Sequence, residues 1–160
     1  MFYVNITQKI CLSITNTVFD SMTSCTQKKY SDNEKGGILI GEINYPKGNY
    51  MIQDLTCPFS TDISSPFRFT RNESGHQEYM DKIWNLSDHT KTYLGEWHTH
   101  FERIPNPSTI DIQNWQKISH RRHNCECLFF IIVGCRQIRV WASKNEKIVE
   151  LLLCSNGDCV

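Results

Sequence analysis

The chain has 160 residues, 39% of them hydrophobic and 21% charged, and its 17 basic side chains balance 17 acidic ones to a formal net charge of zero. A chain of that length buries roughly 68–70% of its unfolded surface in one domain, so neither disulfides nor an obligate partner are required for folding. The even charge speaks against a nucleic-acid binder, whose affinity rests on a basic surplus.

Alternating apolar side chains at Phe2, Val4 and Ile6, then Ile10, Leu12 and Ile14, predict one or two short strands. Asn16 or Thr17 is the expected cap of a helix running to about Thr26, with Val18, Phe19 and Met22 on one face. Residues 36–43 read as a buried strand, 46–49 as a turn and Tyr50 to Leu55 as the returning strand. The polar stretch 56–74, with Pro58 and Pro66, reads as a loop holding a short strand at Phe67–Phe69. A helix is expected over Gly75 to Leu86, a strand over Tyr93 to His100, and a helix over Ser108 to His120 with Ile112, Trp115 and Ile118 as its buried stripe. Strands at 128–133, 138–142 and 148–153 complete the chain. Strands and helices without regular βαβ alternation predict an α+β fold, a mixed sheet flanked by helices. No repeat or linker divides the sequence, so one domain over 1–160 is expected.

The longest apolar run, Cys127 to Cys135, is far short of the about 20 residues that span a bilayer. The first ten residues lack the basic and long apolar segments of a signal peptide. The eight cysteines are scattered, which fits reduced thiols in a cytoplasmic protein, and the sequons at Asn5, Asn72 and Asn85 then read as chance matches.

The chemistry concentrates between Gly95 and Trp115. His98 and His100 stand two apart on an expected strand, so both imidazoles face one side, roughly 6.5–7 Å apart at the backbone. Two ring nitrogens at that spacing can converge on one metal ion. A third ligand must come from another element, and Asp111, at the start of the next helix, is the candidate. Ser108-x-x-Asp111 after Pro107 is equally an ordinary helix start, with Ser as cap and Asp in the first turn. Glu96 is a rival ligand on the same strand face, but it lies roughly 13 Å from His100 along the strand. Two His and one carboxylate leave a fourth zinc position open for water, which suits amide hydrolysis. Spacing alone does not identify the base such a reaction needs.

His98-x-His100, seven residues, then Ser108-x-x-Asp111 resembles the JAMM motif of the JAB/MPN+ zinc isopeptidases, and Glu34 before the Gly36–Gly41 strand resembles that family's upstream Glu. The resemblance implies an α-β-α sandwich of the cytidine-deaminase-like kind. It also implies His98, His100 and Asp111 as ligands of Zn2+, Glu34 as general base and Ser108 as a donor to the oxyanion. Phe101 stands where the family often has Pro after the second His. Tyr93 to His100 with Pro105 to Ser108, and His76-Gln77-Glu78 ahead of Ile83-Trp84, are similar to small bacterial deconjugating peptidases of the CBASS antiphage systems. Those cut the amide by which an E1–E2-like transferase joins the C-terminal tail of a cGAS-like nucleotidyltransferase to targets. A protein substrate with an extended tail, and no nucleic acid or membrane, is therefore expected. Loops 56–74 and 101–107 are the candidates for recognising it, with the tail added as a strand to a sheet edge. A non-catalytic MPN scaffold, or a JAB hydrolase of another ubiquitin-like or small amide substrate, is the alternative.

Other features have plainer readings. His120, His123, Cys125 and Cys127 gather metal-ligand types, but also read as a basic helix end followed by two buried thiols. Arg121 and Arg122 read as that solvated helix end, Cys154 and Cys159 as free thiols, and Trp97 and Trp115 as core.

Overall fold

The computed structural model describes residues 1–5, 9–44, 48–121 and 125–154. In chain order its elements are β1 (Phe2–Asn5), β2 (Ile10–Ile14), α1 (Asn16–Ser24), β3 (Gly36–Asn44), β4 (Asn49–Leu55), β5 (Ile63–Ser65) and β6 (Arg68–Thr70). Then come α2 (Glu73–Leu86), β7 (Thr92–Thr99), α3 (Thr109–Ser119), β8 (Cys127–Val133), β9 (Ile138–Lys144) and β10 (Lys147–Cys154). The large sheet runs β1-β10-β9-β8-β7-β3-β4-β2 and closes where β1 also pairs with β2. It is mixed: β7–β8 and β2–β4 are parallel, the other pairs antiparallel. The parallel pair β7–β8 requires a crossover, and α3 supplies it.

The apolar run at 127–133 is continuous because β8 is central and covered on both faces. Phe129, Ile131 and Val133 point inward and pack in one cluster with Val18 and Met22 of α1, Leu39, Leu94 and Trp97. Leu128, Phe130 and Ile132 point outward to Trp115 of α3, whose ring stacks on Phe130 with centroids 4.8 Å apart. On the same outer face α2 sets Met80 against Ile38 and Ile40. Each such side chain stabilises the fold by roughly 1.5–3 kcal/mol when fully buried. Helices thus lie on both faces of a mixed sheet, as expected, and the sheet curls around α1 until its edges meet.

One glycine sets the phase of β7. Leu39 pairs with Gly95 but Ile40 with Tyr93, so the register slips past Leu94. Gly95 has φ +136°, and a Cβ there would lie 1.8 Å from the carbonyl oxygen of Phe129. This bulge lets Leu94 and Trp97, three apart, both face inward. Glu96, His98 and His100 are thereby turned to the outer face, into a common cavity.

Three details differ from the sequence reading. The cap of α1 is Thr15, one residue early, because its N–H still bonds Ile52 O and the chain turns helical only after it. Segment 56–74 holds the hairpin β5–β6 rather than a single strand, with Ile63 opposite Thr70. The helix over 73–86 starts earlier than expected, but Ser74 and Gly75 are non-helical, so its regular turns begin near His76. Residues 46 and 47 of the turn expected at 46–49 lie outside the described residues. Among the described residues no helix is long and apolar enough to cross a membrane.

Candidate metal centre

His98 and His100 leave β7 and its end on one face, their Nε2 atoms 3.0 Å apart. Asp111, in the first turn of α3, brings Oδ1 to 3.4 Å from His98 Nε2 and Oδ2 to 3.5 Å from His100 Nε2. A tetrahedral zinc with bonds of about 2.0–2.2 Å has ligand-to-ligand edges of about 3.3–3.6 Å. The two edges to Asp111 match that range, and the His98–His100 edge, at 3.0 Å, is slightly shorter. The donor set therefore suits one zinc ion after a small parting of the rings, and two imidazoles with one carboxylate leave a fourth position open. Among the described residues, these three are the His, Cys, Asp or Glu side chains grouped closely enough to share a metal.

Glu34 reaches the centre through strand register. Gly36 pairs with His98 in the antiparallel β3–β7 ladder. Lys35 exchanges hydrogen bonds with Thr99, its N–H donating to Thr99 Oγ1 at 2.9 Å and its carbonyl accepting from Thr99 N at 2.8 Å. Two residues before Gly36, Glu34 thus falls opposite His100, with Oε1 3.8 Å from Nε2. The hairpin holds it there: Glu34 N–H donates to Ser65 O at 2.9 Å, and Ser64 Oγ donates to Glu34 O. Glu34 is only 6% exposed. Burial, reinforced by Asp111, lifts its carboxyl to about 7, against the opposing pull of His100 and the Phe69 N–H. Burial works against a charged His100 ring, but Asp111 and Glu34 outweigh it and hold that ring toward its protonated form. Burial likewise opposes ionisation of Asp111, yet hydrogen bonds with His100 and His98 hold it far below the usual carboxylate range.

Ser108 caps α3. Its Oγ donates to Asp111 Oδ2 at 2.6 Å and accepts from Asp111 N at 3.2 Å, while Ser108 N–H donates to the same Oδ2 at 2.7 Å. The capping box and the candidate ligand are therefore one carboxylate. Glu96 is not in the cluster, because Arg71 Nη2 and Nε donate to its Oε1 at 2.8 and 3.1 Å. A cavity of about 650 Å³ surrounds the centre, between the hairpin, α3 and the end of β7.

The family described as prokaryotic homologs of the JAB domain matches residues 18–145. The chain belongs to this family. It is 33% identical over 142 residues to the CD-NTase/cGAS isopeptidase of Pseudomonas aeruginosa (strain BWHPSA011 / Pa011), covering 88% of this chain and 82% of that one. It is 35% identical over 135 residues to the protein of the same name from Escherichia coli (strain TW11681), covering 84% and 81%. The fold of this JAB chain is also similar to a solution structure from Desulfitobacterium hafniense, with TM-score 0.57 and 16% identity over 87% and 88% of the two chains.

Around the JAB centre stands a support that sequence reasoning missed. Ile38 N–H donates to Thr56 Oγ1 at 2.9 Å, and Thr56 Oγ1 lies 2.6 Å from His76 Nδ1. His76 Nε2 lies 3.1 Å from Asp62 Oδ2, and Asp62 also accepts the N–H groups of Phe59 and Asn72. Only one direction satisfies every group: the Thr56 hydroxyl donates to Nδ1, and Nε2–H donates to Asp62. Thr56 is buried, with 3% exposure, so this Thr–His–Asp order is a clamp tying the hairpin segment to α2 and β3. The sequence places His76 at the head of a helix and in the stretch that resembles the deconjugating peptidases, but nothing in it links His76 to Asp62.

His123, Arg122 and Cys159 lie outside the described residues. His120 faces Gln116 O, Cys127 is in the inner core, and neither they nor Cys125 join a metal cluster among the described residues. Arg121 is exposed and 3.6 Å from Glu73. Trp97 and Trp115 are core, and Trp97 Nε1–H donates to Thr56 O. Cys11, Cys25, Cys57, Cys125, Cys127 and Cys135 are free thiols.

Proposed function

We propose that this JAB chain is a zinc-dependent isopeptidase that cuts the amide bond after the C-terminal tail of a cGAS-like nucleotidyltransferase, releasing it from protein targets in antiphage defence. One observation carries the reading: His98, His100 and Asp111 bring their donor atoms within 3.0–3.5 Å of one another with Glu34 opposite. Support comes from the two relatives, a third identical along most of the chain and named for that substrate class.

His98, His100 and Asp111 would hold the zinc, which would polarise the scissile carbonyl and acidify a water. Glu34 takes a proton from the attacking water at its carboxylate and gives it to the leaving amine nitrogen. A carboxyl lifted to about 7 suits a group that must do both at neutral pH. The Ser108 hydroxyl hydrogen, shared with Asp111 Oδ2, is the one offered to the developing oxyanion. The C–N bond breaks, leaving a carboxylate on the tail and a free amine on the target. The substrate is made by an E1–E2-like transferase, the reaction is cytoplasmic, and residues 1–160 act as one domain.

Elemental analysis tests the centre. About one zinc per chain is expected in the parent and none in His98→Ala. A metal-replete parent without zinc would overturn the reading in favour of a non-catalytic scaffold.

A further inference from the structure

Three aromatic rings stand uncovered at the mouth of the cavity. Tyr30, Phe67 and Phe101 are 67%, 63% and 37% exposed. Each comes from a different loop, yet they form one row: Tyr30 lies 5.0 Å from Phe67 and 6.0 Å from Phe101, edge-on to both. All three line the same cavity as Glu34, His98 and His100. Large apolar rings gathered at a site and left in water mark a binding surface.

We propose that Tyr30, Phe67 and Phe101 form the seat for the methylene stem of an acylated lysine, the amine side of the bond being cut. The inference rests on the isopeptidase reading above. Its direction comes from Glu34, which must reach the leaving nitrogen to protonate it. Glu34 stands on the His100 side of the centre. The row surrounds that side: Tyr30 is on the approach to Glu34, Phe67 tips the hairpin that holds Glu34, and Phe101 follows His100. Away from that row, a second hollow of about 270 Å³ shares Arg71, Glu73 and Glu96 with the cavity and leaves room for the acyl tail. Chemistry matches the seat. An acylated lysine nitrogen carries no charge, so four methylenes end in a neutral amide, and ring faces cover methylenes at no cost in desolvated charge.

The test uses a nucleotidyltransferase tail peptide as its N-methylamide and its N-butylamide, the latter matching the lysine stem. The parent is expected to prefer the butylamide about tenfold in kcat/KM, from three further partly buried methylenes. Tyr30→Ala and Phe67→Ala, at exposed positions outside the core, are expected to cut that preference to about twofold. Equal rates on both amides in the parent overturn the seat, as do variants that slow both alike and keep the ratio. Cleavage of a lysine-linked conjugate but of neither alkylamide also overturns it. If the lysine-linked conjugate survives as well, the isopeptidase reading itself fails.

Discussion

Asp111 unites two readings that the sequence sets up as rivals. It is both the first-turn acid of a capping box and a side chain 3.4 Å from His98. The cap fixes the carboxylate in the first turn of α3, where the helix dipole favours its ionised form. Removing Ser108 therefore acts twice. Ser108→Ala should destabilise the protein by about 1 kcal/mol through the lost cap. It should also slow cleavage by about 10²–10³-fold through the lost donor, a split that urea unfolding and kinetics separate. Glu34 is a different case, because in the run Ser31 to Lys35 it looks like any solvated acid. What buries it is the hairpin across from it, and that contact has no local signature. Glu34→Gln should lower cleavage by about 10²–10⁴-fold while zinc per chain stays at the parent value. Loss of the zinc as well would make Glu34 a ligand instead of a base.

Among the elements, the long ones were legible and the devices between them were not. The β8 run and the α3 stripe announce themselves by burial on two faces or one. The hairpin β5–β6 has strands of three residues, too short for any period to show, and its hold on the fold comes from a clamp between Asp62, His76 and Thr56. His76→Ala leaves Asp62 and the Thr56 hydroxyl without that partner in a buried place. We expect a loss of roughly 2–3 kcal/mol in urea unfolding. The bulge in β7 was equally hidden, since Gly95 sits in an otherwise unbroken strand pattern. Gly95→Ala must push a Cβ into the Phe129 carbonyl at positive φ. It should destabilise more than His76→Ala does, and any folded fraction should bind less zinc, because the phase of His98 and His100 depends on that slip. Full zinc binding with parent stability would mean β7 can be aligned without the bulge.

Across the whole molecule, the centre joins parts far apart in the chain: the approach to β3, the end of β7 and the first turn of α3. Without metal, this junction is held by protons. The carboxyl of Glu34 goes from 4.5 to about 7 on folding, so the native state binds that proton more tightly than the unfolded chain. That stability is present below 4.5 and lost as pH rises through 7, about 3 kcal/mol in all. His100 acts in the same direction: its raised value gives stability present below 6.5 and lost above its folded value. Asp111 has the opposite sign, but its contribution is complete above 3.8 and constant in this window. His76, whose burial lowers it, loses its contribution on the acid side and so works against the other two. Comparison with Glu34→Gln isolates the centre from it: metal-free parent should lose more stability than the variant between pH 5 and 8. Zinc held by the proposed ligands should reverse the slope. It needs His100 neutral, so binding below that folded value expels a proton and strengthens as pH rises. Thermal unfolding with chelator or with excess zinc, at pH 6 and pH 8, should therefore show the larger zinc-induced rise in Tm at pH 8. An equal rise at both would mean that no proton leaves the site when the metal enters, and that His100 is not a ligand.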